Sequence, residues 1–590
     1  MKHLSVLLII ISTLLLTLQN QAANVDYEVS MSEPHTHYFE VKMIIKNHQE
    51  NEIDIYMPTW APGSYLIREF AKSVEAVSAK QNAKELNIEK INKNTWRIAS
   101  NNKSDIVVTY KVYAYEMSVR TSFLDASHGY FNGTSIFMAH QPAQKEISKV
   151  TIHPYKDWKK VSTALPKAKG EKGFVYVAEN YDILVDAPFE IGNHVTFDFT
   201  AAGVLHHVAM YGEGNYNIDT LKKDMAKIVE ACTNVFGENP NKEYTFIIHN
   251  LTRGSGGLEH LSSTTLQVNR WTYSGSAYKG FLSLVAHEYF HLWNVKRIRP
   301  IELGPFDYSN ENYTSLLWVM EGFTSYYDEL LLYRAGFYTK EEILSKFSSS
   351  INSIENQPGN KVQPVAHASF DAWIKAYRPT ENSYNTTISY YTKGSVVANM
   401  FDLMIIKNTK GKKSLDDVMK LLYNKYYKQE NRGFTPEEMK KTLEEVSGLN
   451  LDDFYAKYIN GTETFDYPTL FSYVGFQVEP LTENNLSLGV SLSGNTIRTV
   501  YRNSAAYDGG LNVNDEILAI DNYRFSDNYD EITENKKEGN ILDILISRDN
   551  IIQTIKIPMK PRTVIRYYIF KAESATDEIK RLHEKWLMQL

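Results

Sequence analysis

Apolar and polar residues alternate through much of the first third of the chain. Segments 38–45 and 106–113 are rich in aromatic and β-branched residues, and 195–199 shows the same pattern. Such segments are typical of half-buried strands. Turn-forming clusters such as Ala-Pro-Gly-Ser at 61–64 separate them. The pattern predicts an N-terminal antiparallel β domain over residues 24–210.

The period becomes helical near residue 212. Helices are expected around 219–236, over 414–427 and over 435–446, and a short strand at 244–249. Thr435 followed by Pro436 is a typical helix start, with a capping hydroxyl and a proline at the first helical position. We therefore expect a mainly α domain over residues 211–470.

Short strands return from about residue 473, and the last residues are charged. The pattern predicts an α+β unit over residues 471–562, followed by a C-terminal tail over 563–590 that is expected to be helical. The chain should therefore be multidomain, as its 590 residues also suggest.

The first residues resemble an export signal. Lys2 and His3 precede an apolar stretch, 4–18, and Gln21-Ala22-Ala23 offers small residues for cleavage. The stretch is shorter than the ~20 residues of a membrane-spanning helix, which disfavours an uncleaved anchor. We expect residues 1–23 to be a signal peptide, the mature protein to be periplasmic or secreted, and no membrane segment to remain.

Composition narrows the classes further. The chain is 43% hydrophobic and 23% charged, which is typical of a globular protein. A net charge of −7 gives no electrostatic case for binding nucleic acid. Cys232 is the single cysteine, so no intrachain disulfide can form.

The chemistry is concentrated at His287-Glu288-Tyr289-Phe290-His291. Histidines at i and i+4 lie on one face of a helix, about 6 Å apart along its axis, and can share one tetrahedral Zn²⁺. Glu288 follows the first ligand, where it can take a proton from a water at the metal. A catalytic zinc needs a third protein ligand, and Glu321, among apolar and aromatic neighbours, is the best candidate.

The segments His287–Ile298 and Glu321-Gly322-Phe323-Thr324 resemble the M61 glycyl aminopeptidases, gluzincins related to the M1 aminopeptidases. Met57–Tyr65 is similar to the signature of that family's N-terminal β domain. The resemblance implies a thermolysin-like, mainly α zinc-peptidase domain and one zinc per chain. It also implies that His287, His291 and Glu321 are the ligands and Glu288 is the general base.

The resemblance implies two further roles. Tyr391, which precedes Thr392-Lys393-Gly394, matches the tyrosine that stabilises the transition state. Gly256-Gly257-Leu258-Glu259-His260 is similar to the exopeptidase motif of the M1 relatives, in which the glutamate binds the substrate's α-amine. Gly256 and Gly257 would let an extended substrate approach the backbone. Leu258 and His260 depart from the Met and Asn of that motif.

Two segments remain. Lys296–Arg299 is expected to be a solvated basic face and is given no role. Residues 471–562 resemble a PDZ domain, with Leu488, Gly489 and Val490 where the carboxylate-binding loop would be. Such a domain could bind an extended peptide by strand addition or could be mainly structural.

The leading hypothesis is an exported zinc aminopeptidase acting on peptides with a free N-terminus, with Gly and Ala preferred by resemblance. A zinc endopeptidase, in which Glu259 does not close the site, is the alternative among enzymes. A non-catalytic protein that binds peptides through its PDZ domain is the alternative of another class. The presence of Glu288 disfavours this last hypothesis, because an inactive site has no need of the base.

Overall fold

The computed structural model describes residues 23–100, 103–572 and 575–588. The expected signal peptide, apart from Ala23, lies outside the described residues. Within these ranges no helix is both long and apolar enough to cross a membrane.

The N-terminal unit is rich in β-structure. Its elements are the strands β1 Asn24–Ser30, β2 Tyr38–Lys46, β3 Glu52–Tyr56, β4 Val74–Gln81, β5 Lys84–Glu85, β6 Ile88–Lys90, β7 Thr95–Ala99, β8 Ile106–Tyr113, β9 Ser122–Leu124, β10 His128–Phe131, β11 Ser148–His153, β12 Lys160–Ser162, β13 Phe174–Ala178 and β14 Phe189–Gly192, and the helix α1 Tyr181–Val185.

These strands form three sheets, with the orders β13-β11-β1-β2-β8-β4-β5, β12-β14-β10-β9 and β3-β7-β6. Buried and partly exposed residues alternate along β2, as the sequence pattern predicts. The predicted pairing is antiparallel, but β1 pairs with β11 in parallel. The alternating pattern gives the faces of a strand and not the direction of its neighbour, so it could not have predicted this pair.

A five-stranded sheet follows, made of β15 Val195–Ala201, β16 Val204–Tyr211, β17 Glu243–Leu251, β18 Gly257–Glu259 and β19 Ser263–Asn269. The order is β15-β16-β17-β19-β18, so β18 is an edge strand, antiparallel to β19. The predicted domain division at residue 210 therefore cuts through this sheet. The strands β15 and β16 share most of their apolar core with the helices that follow, and Ala209 of β16 also packs with Tyr130 of β10.

The central part is mainly helical. Its helices are α2 Ile218–Phe236, α3 Gly275–Phe290, α4 Leu317–Met320, α5 Gly322–Arg334, α6 Lys340–Glu355, α7 Val365–Phe370, α8 Ser383–Thr386, α9 Tyr390–Asn408, α10 Leu415–Leu422, α11 Pro436–Ser447, α12 Asp452–Phe454 and α13 Tyr467–Ser472. The helix predicted over 414–427 is α-helical only to Leu422 and continues as a π-helix, Tyr423–Gln429. Thr435 caps α11 with Pro436 in the first turn, as predicted.

The C-terminal part holds the strands β20 Phe476–Leu486, β21 Val490–Ser493, β22 Thr496–Val500, β23 Glu516–Ile520, β24 Tyr523–Arg524, β25 Ile541–Arg548, β26 Ile551–Pro558 and β27 Pro561–Lys571, and the helices α14 Ala505–Gly509, α15 Tyr529–Thr533 and α16 Asp577–Trp586. The strands β21 to β26 form one sheet with its own apolar core.

The C-terminal tail is not uniformly helical, so that expectation is wrong for its first residues. The strand β27 runs antiparallel to β20 as a two-stranded ribbon, and only then does α16 begin. Trp586 on α16 is fully buried, and its Nε1 donates to Tyr326 Oη at 3.0 Å. Although the residues around it are mostly charged, Trp586 belongs to the apolar core of the helical domain and anchors the tail there.

Candidate active site

The two histidines lie where α3 ends. His287 is in its last turn, and His291 is the residue after Phe290 but keeps a helical backbone, with φ −60° and ψ −18°. Their ring centroids are 4.7 Å apart. The i, i+4 spacing therefore places both imidazoles on one face.

Glu321 joins them from the junction of α4 and α5. Its Oε2 lies 3.4 Å from His287 Nε2 and 3.1 Å from His291 Nε2. Buried Asn294, just past the end of α3, donates through Nδ2 to Val319 O and Met320 O, both at 3.0 Å. This amide ties the end of one ligand-bearing segment to the start of the other.

Both imidazoles are oriented by a hydrogen bond at Nδ1. His287 Nδ1 lies 2.9 Å from Asp328 Oδ2, and His291 Nδ1 lies 2.6 Å from Asn294 O. An Nδ1–H that donates to a carboxylate or carbonyl leaves Nε2 with its lone pair available, which is the usual arrangement around a metal-binding histidine. Asp328 follows Glu321 by seven residues, two turns along α5 on the same face.

These residues fit a metal ion. The ligand atoms of His287, His291 and Glu321 lie within 4.8 Å of one another. Glu321 Oε2 is buried, and with both Nδ1 atoms donating elsewhere neither histidine Nε2 can donate to it, so it has no hydrogen-bond partner among the described residues. An unsatisfied buried carboxylate oxygen is costly, and a divalent cation would satisfy it.

A second set, Glu259, Glu288 and His291, also lies within 4.8 Å. It would use the expected base as a ligand and would leave His287, although oriented by Asp328, without a role. The first set therefore fits a catalytic metal better.

The pKa values of the Glu288 and Glu321 carboxyl groups are shifted in opposite directions. Burial raises the pKa of Glu288 to about 7, with a further contribution from the nearby charges of Glu259 and Glu321 and against that of the histidines. Burial also acts on Glu321, but the adjacent His291 and His287 hold its pKa at about 2. Two buried carboxyl groups, each within 4.8 Å of a ring nitrogen of His291, thus differ in proton affinity, as an ionised ligand and a proton acceptor should.

Glu288 packs against the edge strand. A Cβ added to Gly257 would lie 2.4 Å from both Cδ and Oε1 of Glu288. Only glycine leaves room for the carboxylate there. Glu288 Oε2 is buried without a hydrogen-bond partner among the described residues, so the carboxylate is free to interact with a small molecule in the cleft.

Glu259 is the last residue of β18 and is buried. The N-terminal unit approaches it directly, because a Cβ on Gly63 would lie 2.6 Å and 2.7 Å from its two carboxylate oxygens. Gly63 adopts φ +83°, which favours glycine. The segment 57–65 therefore closes the site at Glu259, a role that the sequence analysis did not give it.

The remaining predicted site residues line the same cleft, whose volume is about 320 Å³. Gly256 is there with φ +103°, and the ring of Tyr391 stacks at 6.2 Å from that of His287. Burial, together with nearby Glu321, raises the pKa of Tyr391 well above its ordinary value, so the phenol keeps its proton. Arg120, from the loop between β8 and β9, also lines the cleft and was not predicted.

The expectation of a solvated face for Lys296–Arg299 is wrong. Lys296 Nζ lies 2.7 Å from Asp186 Oδ1, with its side chain 10% exposed. Arg297 is buried and donates to Leu292 O at 2.7 Å and Asn241 Oδ1 at 2.6 Å. Asp186 and Asn241, both more than 50 residues away along the chain, pair with Lys296 and Arg297, and no local sequence pattern could have predicted these partners.

Leu488, Gly489 and Val490 lie in the C-terminal unit and are not among the residues that line the cleft. Gly489 has φ +74°, and a Cβ there would lie 2.2 Å from Ser504 Cβ. This loop is therefore separate from the candidate active site.

Comparison with known proteins identifies the family. The model of the peptidase M61 N-terminal domain matches residues 26–193, and the model of the M61 glycyl aminopeptidase matches residues 280–397. The chain belongs to the M61 peptidases. It is a metalloaminopeptidase, as the resemblance predicted.

This M61 peptidase is similar in overall fold to a solved structure of another protein. A crystal structure described as an aminopeptidase N family protein from Idiomarina loihiensis has 29% sequence identity and a TM-score of 0.89, covering 96% of this chain and 100% of that one. An M1 zinc metallopeptidase from Deinococcus radiodurans has 11% identity and a TM-score of 0.48, covering 76% of this chain and 96% of that one. No curated protein sequence matches the chain.

Proposed function

We propose that this M61 peptidase is an exported zinc aminopeptidase that releases small N-terminal residues, Gly or Ala, from peptides. The observation that carries the proposal is the place of Glu259. Its carboxylate is buried, lies within 4.8 Å of ligand atoms of Glu288 and His291, and is covered by Gly63. A carboxylate held there would bind a protonated α-amine and measure one residue from the N-terminus.

His287, His291 and Glu321 would hold the zinc, one ion per chain. When bound, a zinc ion supplies Lewis-acid polarisation of the peptide carbonyl and a lowered pKa of water. The buried, unpaired oxygen of Glu321 and the two oriented imidazoles support this ligand set.

The protein's own groups would do the rest of the chemistry. Glu259 holds the α-amine, so the first peptide bond lies beside Glu288. The Glu288 carboxylate takes a proton from water as the water attacks and then delivers it to the leaving amine. A pKa of about 7 suits a group that must both accept and release a proton near neutral pH.

Tyr391 would stabilise the developing oxyanion. Its phenol lies in the cleft, and its raised pKa keeps the proton available for donation. A fixed donor contributes most where charge develops in a buried site.

The test compares free with blocked substrates. Gly and Ala 4-nitroanilides should be hydrolysed. Peptides that begin with N-acetylated Gly or Ala should not, because an acetyl group removes the charge that Glu259 binds. Cleavage of blocked peptides at similar rates would replace the aminopeptidase by the alternative, a zinc endopeptidase.

Export is supported by the apolar segment 4–18 and the small residues at 21–23. The first strand, β1, begins at Asn24, directly after them. N-terminal sequencing of protein recovered from the periplasm or medium should start near residue 24. Recovery of the intact N-terminus from the cytoplasm only would contradict export.

We also propose that residues 471–562 form a PDZ-like domain. Within the described residues β21 follows Leu488-Gly489 and lies at an end of its sheet, which leaves an edge for strand addition. Asn385 of the helical domain donates to Val500 O and accepts from Arg502 N, both at 2.8 Å, which supports a structural role as well. The test is binding of a fluorescent decapeptide with an apolar C-terminus to the full chain. Binding that Val490→Lys weakens, with anilide turnover unchanged, would support a peptide site. No binding would leave only the structural role.

A further inference from the structure

The cleft contains a positively charged side chain, that of Arg120, which belongs neither to the candidate metal-ligand set nor to the proposed amine site. Arg120 comes from the N-terminal unit and lines the same cleft as the zinc-ligand set, Glu288 and Glu259. Its place there depends on the fold, because Gly257, to whose carbonyl it donates, is 137 residues away along the chain.

The Arg120 guanidinium is poorly satisfied by the protein. Its Nη2 donates to Gly257 O at a long 3.4 Å, and its Nε is buried without a hydrogen-bond partner. No carboxylate among the described residues forms an ion pair with it. Buried Arg334, by contrast, pairs with Asp416 at 2.9 Å. A half-buried guanidinium without an anion is a ready site for one.

The edge strand sets the distance between this cation and the amine site. Gly257 and Glu259 are two residues apart on β18, about 7 Å along a strand. A substrate with its amine at Glu259 and its chain running antiparallel to β18 would extend toward Gly257, against which the Glu288 carboxylate packs and to whose carbonyl Arg120 donates. The first peptide bond would then lie near Glu288, and the second residue would be within reach of Arg120.

We propose that Arg120 binds the C-terminal carboxylate of a dipeptide, so that dipeptides with a free carboxyl group are the preferred substrate class. This inference rests on the proposed function, because it takes Glu259 as the amine site. The planar guanidinium can hold a carboxylate with two parallel hydrogen bonds, and an anion in the cleft offsets its unpaired charge. The dipeptide is thus held at both ends, with the scissile bond between them.

The experiment compares Ala-Ala with its C-terminal amide, Ala-Ala-NH₂, and with alanine 4-nitroanilide. Wild type should hydrolyse the free acid with the higher kcat/KM. Arg120→Met should lower kcat/KM for the free acid by ~10–100-fold, as expected for loss of hydrogen bonds to a charged group. The same variant should lower kcat/KM for the amide and the anilide by much less, so that the ratio of acid to amide hydrolysis falls by ~10-fold or more, and Arg120→Lys should recover part of the loss for the acid.

Arg68 provides a matched control. It belongs to the same unit, is half-buried, donates to Ser64 Oγ at 2.9 Å, and also has a buried Nε without a partner. It is not among the residues that line the cleft. Arg68→Met should leave the ratio of acid to amide hydrolysis unchanged.

Two results would overturn the inference. Equal hydrolysis of the acid and the amide by wild type would do so without any variant. A uniform loss on all three substrates by Arg120→Met, with normal zinc content and thermal midpoint, would show that Arg120 acts on the reaction or the interdomain contact instead. Failure of the aminopeptidase proposal is distinguishable, because it shows as cleavage of N-blocked peptides by wild type.

Discussion

Replacement of Gly257 by Ala tests the position of Glu288 without substituting a charged residue. The new Cβ would lie 2.4 Å from Glu288 Cδ and Oε1 and 2.5 Å from Cγ. Carbon atoms in contact are normally about 3.5 Å or more apart, so the carboxylate must move by roughly 1 Å. Because the clash falls on the end of a flexible side chain, the fold should accommodate it.

The reaction rate, by contrast, should fall when the Glu288 carboxylate is displaced. A misplacement of about 1 Å at the reacting centre can lower the rate ~10²-fold. We therefore expect Gly257→Ala to lower kcat for alanine 4-nitroanilide by about 10²-fold, with zinc content and thermal midpoint near those of wild type. The assays are steady-state kinetics, metal analysis and thermal unfolding monitored by circular dichroism.

Gly280 is the matched control, since it lines the same cleft on α3 and a Cβ there would meet no atom within 4 Å. Gly280→Ala should leave kcat unchanged and should stabilise the helix by about 0.5–1 kcal/mol. A Gly257→Ala enzyme with kcat within about threefold of wild type would refute the packing argument. An equal loss in Gly280→Ala would refute it too, because the effect would not depend on Glu288.

Three further predictions concern the amine site, the metal and the fold. Glu259→Ala should raise KM for free-amine substrates and relax the requirement for a free amine, and an unchanged preference over blocked substrates would remove Glu259 from that role. Asp328→Asn should weaken zinc binding ~10–100-fold in competition with a chromophoric chelator, because it removes the anion that orients His287, and unchanged affinity would contradict this. Trp586→Ala should lower the free energy of unfolding by about 3–5 kcal/mol in denaturant titrations, whereas a change below about 1 kcal/mol would show that α16 is dispensable.

Local patterns in the sequence predicted much of the fold and the residues His287, His291 and Glu321, which the structure brings together. The period-two segments that became β2 and β8 and the capped start of α11 depend on neighbours along the chain, which a pattern can reveal. His287 and His291 are four residues apart, so the helix itself brings them together. Glu321 could be proposed because a carboxylate among apolar residues needs a partner.

Contacts between distant segments could not be predicted in the same way. Gly63 covers Glu259, and Arg120 reaches Gly257, from a unit that the pattern describes only as a β domain. The ion pair of Lys296 with Asp186 and the anchoring of Trp586 are of the same kind. In each case the informative atoms meet only after the domains pack, and composition around either residue carries no sign of the other.

The central claim is that Glu288 acts as the base beside a zinc held by His287, His291 and Glu321, and Glu288→Gln tests it most directly. Metal content and hydrolysis of alanine 4-nitroanilide should be measured on the same preparation. The account predicts one zinc per chain and a loss of kcat of ~10²–10⁴-fold, because the amide keeps the shape of the carboxylate but cannot accept the proton. Turnover near that of wild type in the zinc-loaded variant would contradict it.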